Sequence, residues 1–330
     1  MRDCLRLADD VQTALENGQP VVALESTVIA HGLPYPHNLD TARRMEALIR
    51  AHGATPATIA VLGGELCVGL TDAELASLAE GRRCRKVSRR DLPSIVATGG
   101  DGATTVAATA TIAHWAGIHL FATGGIGGVH RNAPFDISND LPTLASVPVA
   151  VVCSGAKSIL DLPATLEWLE TAGVPVVGYG TDEFPAFFSR RSGLPVDVRA
   201  DSPEAAATMI RAASCLRLGS GMLIAVPVPA SQEVPSEVVE PAIAAALLAA
   251  EVQHVRGSAL TPFLLGWLAQ HTNFATLTAN VALLENNATV AAEIAVALAR
   301  ISADQQAGYG AARDRLRHRR SAGWEGRTRQ

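Results

Sequence analysis

Lysine occurs at only two positions of the 330-residue chain, Lys86 and Lys157, whereas 25 of its 27 basic residues are arginine. The distinction carries chemistry. Arginine stays charged at any physiological pH, while lysine can lose its proton and attack a carbonyl carbon to form a Schiff base. Lys157 lies in CSGAKSILDL (153–162), a segment of small and apolar residues. An unperturbed lysine is only ~0.04% neutral at pH 7, and a functional amine at that pH requires about 4.6 kcal/mol of differential destabilisation of the ammonium. Burial and a nearby cation are the usual sources. The competing reading is chance retention of two lysines in an arginine-rich chain.

Other polar residues with chemical potential sit where apolar runs end. Glu25 follows VVAL, a place where a carboxylate is either buried against a partner or placed for chemistry. KVSRRDLP (86–93) contributes Lys86, Arg89, Arg90 and Asp91, a basic cluster that suits a phosphate but on its own reads first as a solvated face. In FDISND, Asp136, Ser138 and Asp140 alternate; oxygen donors of this kind suit a hard cation, and the same residues also suit an Asx turn opening the next helix. Asn280, Asn286 and Asn287 lie in a helical stretch, where asparagine is a poor helix former; one of them is expected to face a ligand or cap a neighbour, with surface exposure as the competing reading. Two nucleotide motifs fail on counting. Around ATGGIGGVH the third glycine of a dinucleotide fingerprint is replaced by His130, and the glycines a P-loop needs ahead of Lys157 are Ala156 and Val151.

The elements that must hold these residues are legible from periodicity. VVALEST (21–27), TIAVLGG (58–64), HLFATGG (119–125), VAVVCSG (149–155), VPVVGYG (174–180) and MLIAVPVP (222–229) are apolar runs that break into Gly, Ser or Thr. That pattern fits buried, largely parallel strands with polar loops at their C-terminal ends, where α/β folds bind ligands. Helical periodicity fills the intervals: Asn38 to a Gly53 stop, a capping box at Thr71 and Glu74 running to Gly81, then about 103–115, 163–172, 203–214, 236–253 and 278–300. The alternation predicts an α/β fold: a layered, mostly parallel mixed sheet with helices on both faces, in a single large domain over residues 1–305. Residues 306–330, with seven arginines between Arg313 and Arg329, are expected to form a disordered basic tail, with an anionic partner as the alternative.

Composition narrows the class. The chain is 48% apolar, 18% charged and 4% aromatic, with a formal net charge of −5, which disfavours a dedicated nucleic-acid or membrane-surface binder. Five scattered cysteines with no C-x-x-C pair indicate reduced thiols. The charged start MRDCLRLADDVQ shows no apolar leader, and the longest apolar run, Pro241 to Ala250, is too short to span a bilayer. A cytoplasmic protein without membrane partners is expected.

Taken in order, VVALESTVIAHGLPYP, PATIAVLGGELCVGL, KVSRRDLP, GATTVAAT, FATGGIGGVHR, FDIS, GAKSILDL, ETAGVPVVGY, PAFFSR, TPFLL and the late NN pair resemble the pseudouridine-5'-phosphate glycosidase family over roughly residues 20–300. The resemblance implies reversible cleavage of the carbon–carbon glycosidic bond of pseudouridine 5'-phosphate to uracil and ribose 5-phosphate, a Mn²⁺ requirement and a homotrimer. It implies Lys157 as nucleophile, Glu25 as proton donor and Asp136 as metal ligand. Lys86, Val106 and the triplet Ser138, Asn139 and Asp140 become substrate contacts, with His130 and Asn280 as further polar residues of the pocket. Two departures fall beside the expected metal ligand: HRNAPF (130–135) is about two residues shorter than the usual loop, and Asn139 stands where alanine is usual. A different Schiff-base lyase acting on a sugar phosphate would share Lys157 and the basic cluster. A non-catalytic nucleotide-binding subunit of the same fold would have no need of Glu25 and Lys157 together.

Overall fold

The computed structural model describes residues 4–80, 84–131 and 133–322. The chain opens with β1 (Leu5–Leu7), α1 (Asp9–Glu16) and β2 (Val21–Glu25), then a five-residue π-helix (Val28–Gly32), α2 (His37–Ala51), β3 (Thr55–Leu62), β4 (Glu65–Val68) and α3 (Asp72–Glu80). Next come β5 (Arg85–Val87), α4 (Leu92–Thr98), β6 (Gly102–Thr104), α5 (Val106–Ala116), β7 (Leu120–Ala122), β8 (Val129–His130), β9 (Ala133–Ile137) and α6 (Asp140–Leu144). They are followed by β10 (Ala150–Cys153), β11 (Leu160–Asp161), α7 (Leu162–Thr171), β12 (Val176–Tyr179), β13 (Val198–Ala200), α8 (Pro203–Leu216) and β14 (Met222–Ala225). Three helices close the chain: α9 (Ser236–Val252), α10 (Leu260–His271) and α11 (Ala275–Ala322).

The main sheet runs β1-β4-β3-β2-β7-β10-β14-β12-β13, with β6 bridging β3 and β5 at one side. Its centre, from β3 through β2, β7, β10, β14 and β12, is parallel throughout, and the antiparallel pairs involve β4 and β6 against β3. Every residue of β2, β10 and β14 is buried. Because successive side chains point to opposite faces, a strand buried at every position has both faces covered. The expected mixed, mostly parallel sheet with flanking helices is therefore the observed fold, and the six predicted strands supply β2, β3, β7, β10, β12 and β14. A small antiparallel sheet, β11-β8-β9, stands apart.

Helix ends follow their local chemistry. The Thr71–Glu74 box forms as expected: the Thr71 amide donates to Glu74 Oε2 at 2.8 Å and the Glu74 amide to Thr71 Oγ1 at 3.3 Å. The Gly81 stop lies outside the described residues. Helix α11 is longer than its periodicity suggested. Its stretch Ala275–Ala303 is long and apolar enough to cross a membrane, but 56% of its apolar window is buried inside the fold, where it packs on α2, α8, β7 and β10. The helix continues into the arginine-rich segment as far as Ala322, where the sequence reading expected no element; alanine, arginine, glutamine and leucine are all good helix formers. Residues 323–330 lie outside the described residues.

Candidate active site

Glu25 is the last residue of β2, paired on one side with β3 and flanked by β7 on the other. It is buried, and Thr123, just past the end of β7, donates its hydroxyl to Glu25 Oε1. Burial pushes the carboxyl above its ordinary range, while the Lys157 ammonium and the Thr123 hydroxyl pull it back. A carboxyl shifted this way holds its proton nearer to neutral pH, as a general acid must.

Lys157 follows β10, the strand on the far side of β7 from β2. Past the regular strands the two chains stay zipped: Ser154 donates its amide to Gly124 (2.8 Å), Ile126 to Gly155 (3.0 Å) and Lys157 to Ile126 (3.1 Å). This backbone extension sets the lysine, and its Nζ donates to the Gly125 carbonyl at 2.6 Å. Gly155 is required at the bend. Its φ is +82°, and a Cβ there would lie 2.3 Å from the Pro185 carbonyl oxygen. Asn287, fully buried on α11, clamps both strand ends: its Nδ2 donates to the Thr123 carbonyl at 2.8 Å and to Ser154 Oγ at 3.1 Å.

Lys86 on β5 joins the same group. Burial and the Lys157 charge hold its ammonium below the usual lysine range, with Asp140 and Glu25 opposing. Of its basic neighbours, Arg85, Arg89 and Arg90 are exposed, and Arg82 and Arg83 lie outside the described residues. The cluster thus divides into one site lysine and a solvated face. Asp140 is buried, and each carboxylate oxygen accepts one backbone amide: Oδ1 that of Ala107 at 2.9 Å and Oδ2 that of Gly127 at 2.8 Å. It thereby ties the first turn of α5, which contains the buried Val106, to the glycine loop beyond β7. Ser138 Oγ accepts the Asp140 amide at 3.3 Å, and Asn139 Oδ1 accepts the Ser88 hydroxyl at 3.2 Å. Glu25, Lys86, Asp140 and Lys157 therefore form one electrostatically linked set, with Val106, Ser138 and Asn139 anchored to it.

Asp136 and His130 sit on the small sheet, where their side chains approach to 3.9 Å between Oδ2 and Nδ1, with Asp136 63% exposed. Among the described residues no three His, Cys, Asp or Glu side chains gather as a metal site. One exposed carboxylate beside an imidazole fits a hard cation only if water supplies most of its ligands. Asn280 is buried and lines a cleft of about 360 Å³ between the π-helix and α10. Two residues at the site, Thr123 and His31, carried no signal in the sequence, and Asn287 stood out only as one of three helical asparagines. Thr123 and Asn287 act through pairing between elements far apart in the chain. His31, in HGLP directly after the Glu25 strand, has a buried Nε2 without a hydrogen-bond partner.

Residues 10–297 match the profile of the family described as Indigoidine synthase A like protein. The chain is 53% identical over 311 residues to the pseudouridine-5'-phosphate glycosidase of Methylobacterium nodulans, covering 93% of this chain and 92% of that one. It is 56% identical over 296 residues to the enzyme of the same name from Herpetosiphon aurantiacus, covering 89% and 98%. Among solved structures, the prealnumycin C-glycosynthase AlnA in complex with ribulose 5-phosphate superposes with a TM-score of 0.84 at 41% identity, covering 91% of this chain and 98% of that one. An indigoidine synthase A-like protein from Thermotoga maritima superposes with a TM-score of 0.83 at 38% identity, covering 89% and 96%. With the acid at the end of β2 and the amine beyond the end of β10, on either side of β7, these likenesses over nearly the whole chain lead to one conclusion: it belongs to the pseudouridine-5'-phosphate glycosidase family and is an enzyme of that family.

Proposed function

We propose that this enzyme reversibly cleaves the C1'–C5 bond of pseudouridine 5'-phosphate, giving uracil and ribose 5-phosphate, through a covalent adduct on Lys157. The observation that carries the proposal is the pairing of a buried carboxyl at the end of β2, raised by burial, with a lysine whose charge reaches it from beyond the end of β10, across β7. An ordinary glycosidase expels an oxygen or nitrogen leaving group with two carboxylates. A carbon leaving group needs an electron source behind the breaking bond and a proton at the departing atom. The Lys157 amine forms the C1'–N bond as the C1'–O4' bond of the ribose opens. Its lone pair then drives C1'–C5 cleavage, forming a C1'=N imine while uracil C5 gains a proton; water hydrolyses the imine to ribose 5-phosphate and the free amine. Glu25 is the proton donor. Lys86, the backbone around Val106 and the Ser138–Asp140 turn bind the phosphorylated sugar, and His130 and Asn280 complete the pocket.

Asp136 would hold a Mn²⁺ ion through its carboxylate, and the charge of that ion would help order the phosphorylated substrate. The active form is a homotrimer in the cytoplasm. Exposed large apolar residues on α9, Val238, Leu248 and Val252, support association of copies, and all five cysteines are free thiols, which suits a reducing compartment. The decisive experiment mixes protein with uracil, ribose 5-phosphate and Mn²⁺ and follows pseudouridine 5'-phosphate, with a parallel sample reduced by borohydride for peptide mass spectrometry. The expected result is product and an adduct confined to Lys157, both lost in Lys157→Arg. Full activity in that variant, or an adduct elsewhere, overturns the mechanism.

A further inference from the structure

Lys157 opens a tight turn. Its amide donates to the Ile126 carbonyl at 3.1 Å, and its carbonyl accepts the Leu160 amide at 3.0 Å. Beyond the turn, Leu160 and Asp161 of β11 pair with His130 and Val129 of β8. Strands usually run three residues or more, so this ladder alone is a thin anchor for the loop that carries a nucleophile. The residue directly after β8 is Arg131, and it reinforces the anchor. Its Nε donates to the Leu160 carbonyl at 3.1 Å and its Nη2 to the Ser158 carbonyl at 2.7 Å, gripping the chain on both sides of Ile159. The guanidinium is itself held by Glu240 of α9, with Nη1 donating to Oε2 at 2.7 Å and Nη2 to Oε1 at 2.9 Å. Such a two-pronged pair fixes orientation as well as distance.

This arginine differs from the surface ion pairs of the chain. Its side chain is 25% exposed, against 37% or more for Arg6, Arg43, Arg44, Arg50 and Arg199 in theirs. Exposed pairs contribute little, whereas Arg131 also binds the carbonyls of two buried residues, Ser158 and Leu160. Four of the five N–H donors of its guanidinium are thereby committed, which leaves it poorly suited to bind a phosphate. Its task is geometric. A lysine carries its amine on a flexible four-carbon stem, and Nζ rests on the Gly125 carbonyl, so it must swing away to reach a substrate carbon. Attack needs the reacting atoms about 3–3.5 Å apart, and a misplacement of about 1 Å costs as much as 10²-fold. A stem that moves requires a backbone that does not.

We propose that Arg131 is a positioning residue for the nucleophile: its guanidinium, oriented by Glu240, fixes the turn from Lys157 to Leu160 and thereby the point from which the amine reaches ribose C1'. The proposal rests on the functional reading above, in which Lys157 forms the adduct, and adds to it the residue that aims Lys157. Arg131 touches neither the lysine side chain nor the substrate in this scheme. It acts through the backbone on either side of Ile159, and it ties that backbone to α9.

The test follows the borohydride-trapped Lys157 adduct formed by the full chain with ribose 5-phosphate alone. It reads the trapping rate at saturation, the ribose 5-phosphate concentration that gives half that rate, and hydrogen exchange of the 153–162 segment without substrate. For Arg131→Ala the saturated rate is expected to fall by about tenfold to 10²-fold, with the half-saturating concentration within about threefold of wild type. Exchange in the segment should quicken, because its turn has lost two donors. Arg131→Lys keeps the charge without the planar fork and is expected to stay at least about fivefold slow. A saturated rate within about twofold of wild type in Arg131→Ala overturns the proposal. So does a Lys variant as fast as wild type, which would make charge alone sufficient, or a half-saturating concentration that rises in step with the lost rate, which marks general damage. A wild-type enzyme that forms no adduct is a different failure, that of the functional reading. Exchange then decides the fixing of the turn by itself, and an unchanged exchange rate in Arg131→Ala overturns it.

Discussion

Glu25 shows how much of a residue's chemistry is decided by its neighbours. The same carboxylate on a surface would be ionised at neutral pH; burial at the end of β2 raises it, and two partners hold it partway back. As an acid, Glu25 works in its protonated form, so turnover falls as pH rises through its raised pKa. Thr123→Val deletes a hydrogen bond that favours the ionised form, and the alkaline limb of the kcat profile is therefore expected to move to higher pH. Glu25→Gln should lose that limb and about 10²–10⁴-fold in turnover while the enzyme still binds ribose 5-phosphate. An alkaline limb that stays put in Thr123→Val, or near-wild-type turnover in Glu25→Gln, would remove Glu25 from the proton-donor role.

Among the elements, β2, β7 and β10 form the frame: the acid and the amine end on outer members of a three-strand parallel run, and Asn287 on α11 fixes the separation between β7 and β10. Asn287→Ala leaves the Thr123 carbonyl and the Ser154 hydroxyl short of a buried partner, a loss of about 1–3 kcal/mol. For a domain of this size that corresponds to roughly 1–2 °C in Tm per kcal/mol. Turnover should fall by about 10² because the strand ends that set Glu25 and Lys157 are no longer clamped. Thermal melting and single-turnover kinetics check the two parts, and a variant normal in both would show that the clamp is dispensable. The strands of this frame were legible because they are continuously apolar. The short β1, β5, β6 and β13 were not: three residues give no period, and their pairing comes from the neighbours they meet.

For the molecule as a whole, assembly and metal are the open properties. A trimer predicts a sedimenting mass three times the 34.4 kDa of the chain, and a monomeric active enzyme would reject it. The Asp136 carboxylate is exposed on the β8–β9 hairpin, beside the still more exposed Phe135, so its substitution should cost little in folding. In Asp136→Ala, the stimulation of turnover by added Mn²⁺ should drop at least tenfold with Tm unchanged; an unaltered Mn²⁺ response would reject this ligand. Helix α11 also belongs to this scale. Its apolar stretch is long enough for a bilayer and is instead a core helix, because α2, α8 and the sheet cover it.

The sequence by itself determined the α/β class, the central strands and the capping box at Thr71, and it marked Glu25, Lys86 and Lys157 as candidates for chemistry. Apolar period, cap chemistry and residue scarcity are properties of the chain order. The tertiary structure alone decided which of these residues meet. Asp140 is satisfied by the amides of Ala107 and Gly127, Asn287 by strand ends more than 130 residues away, and His31 is left with a buried, unpartnered Nε2. Hydrogen-bond satisfaction and burial are sums over neighbours in space, and no spacing along the chain encodes them.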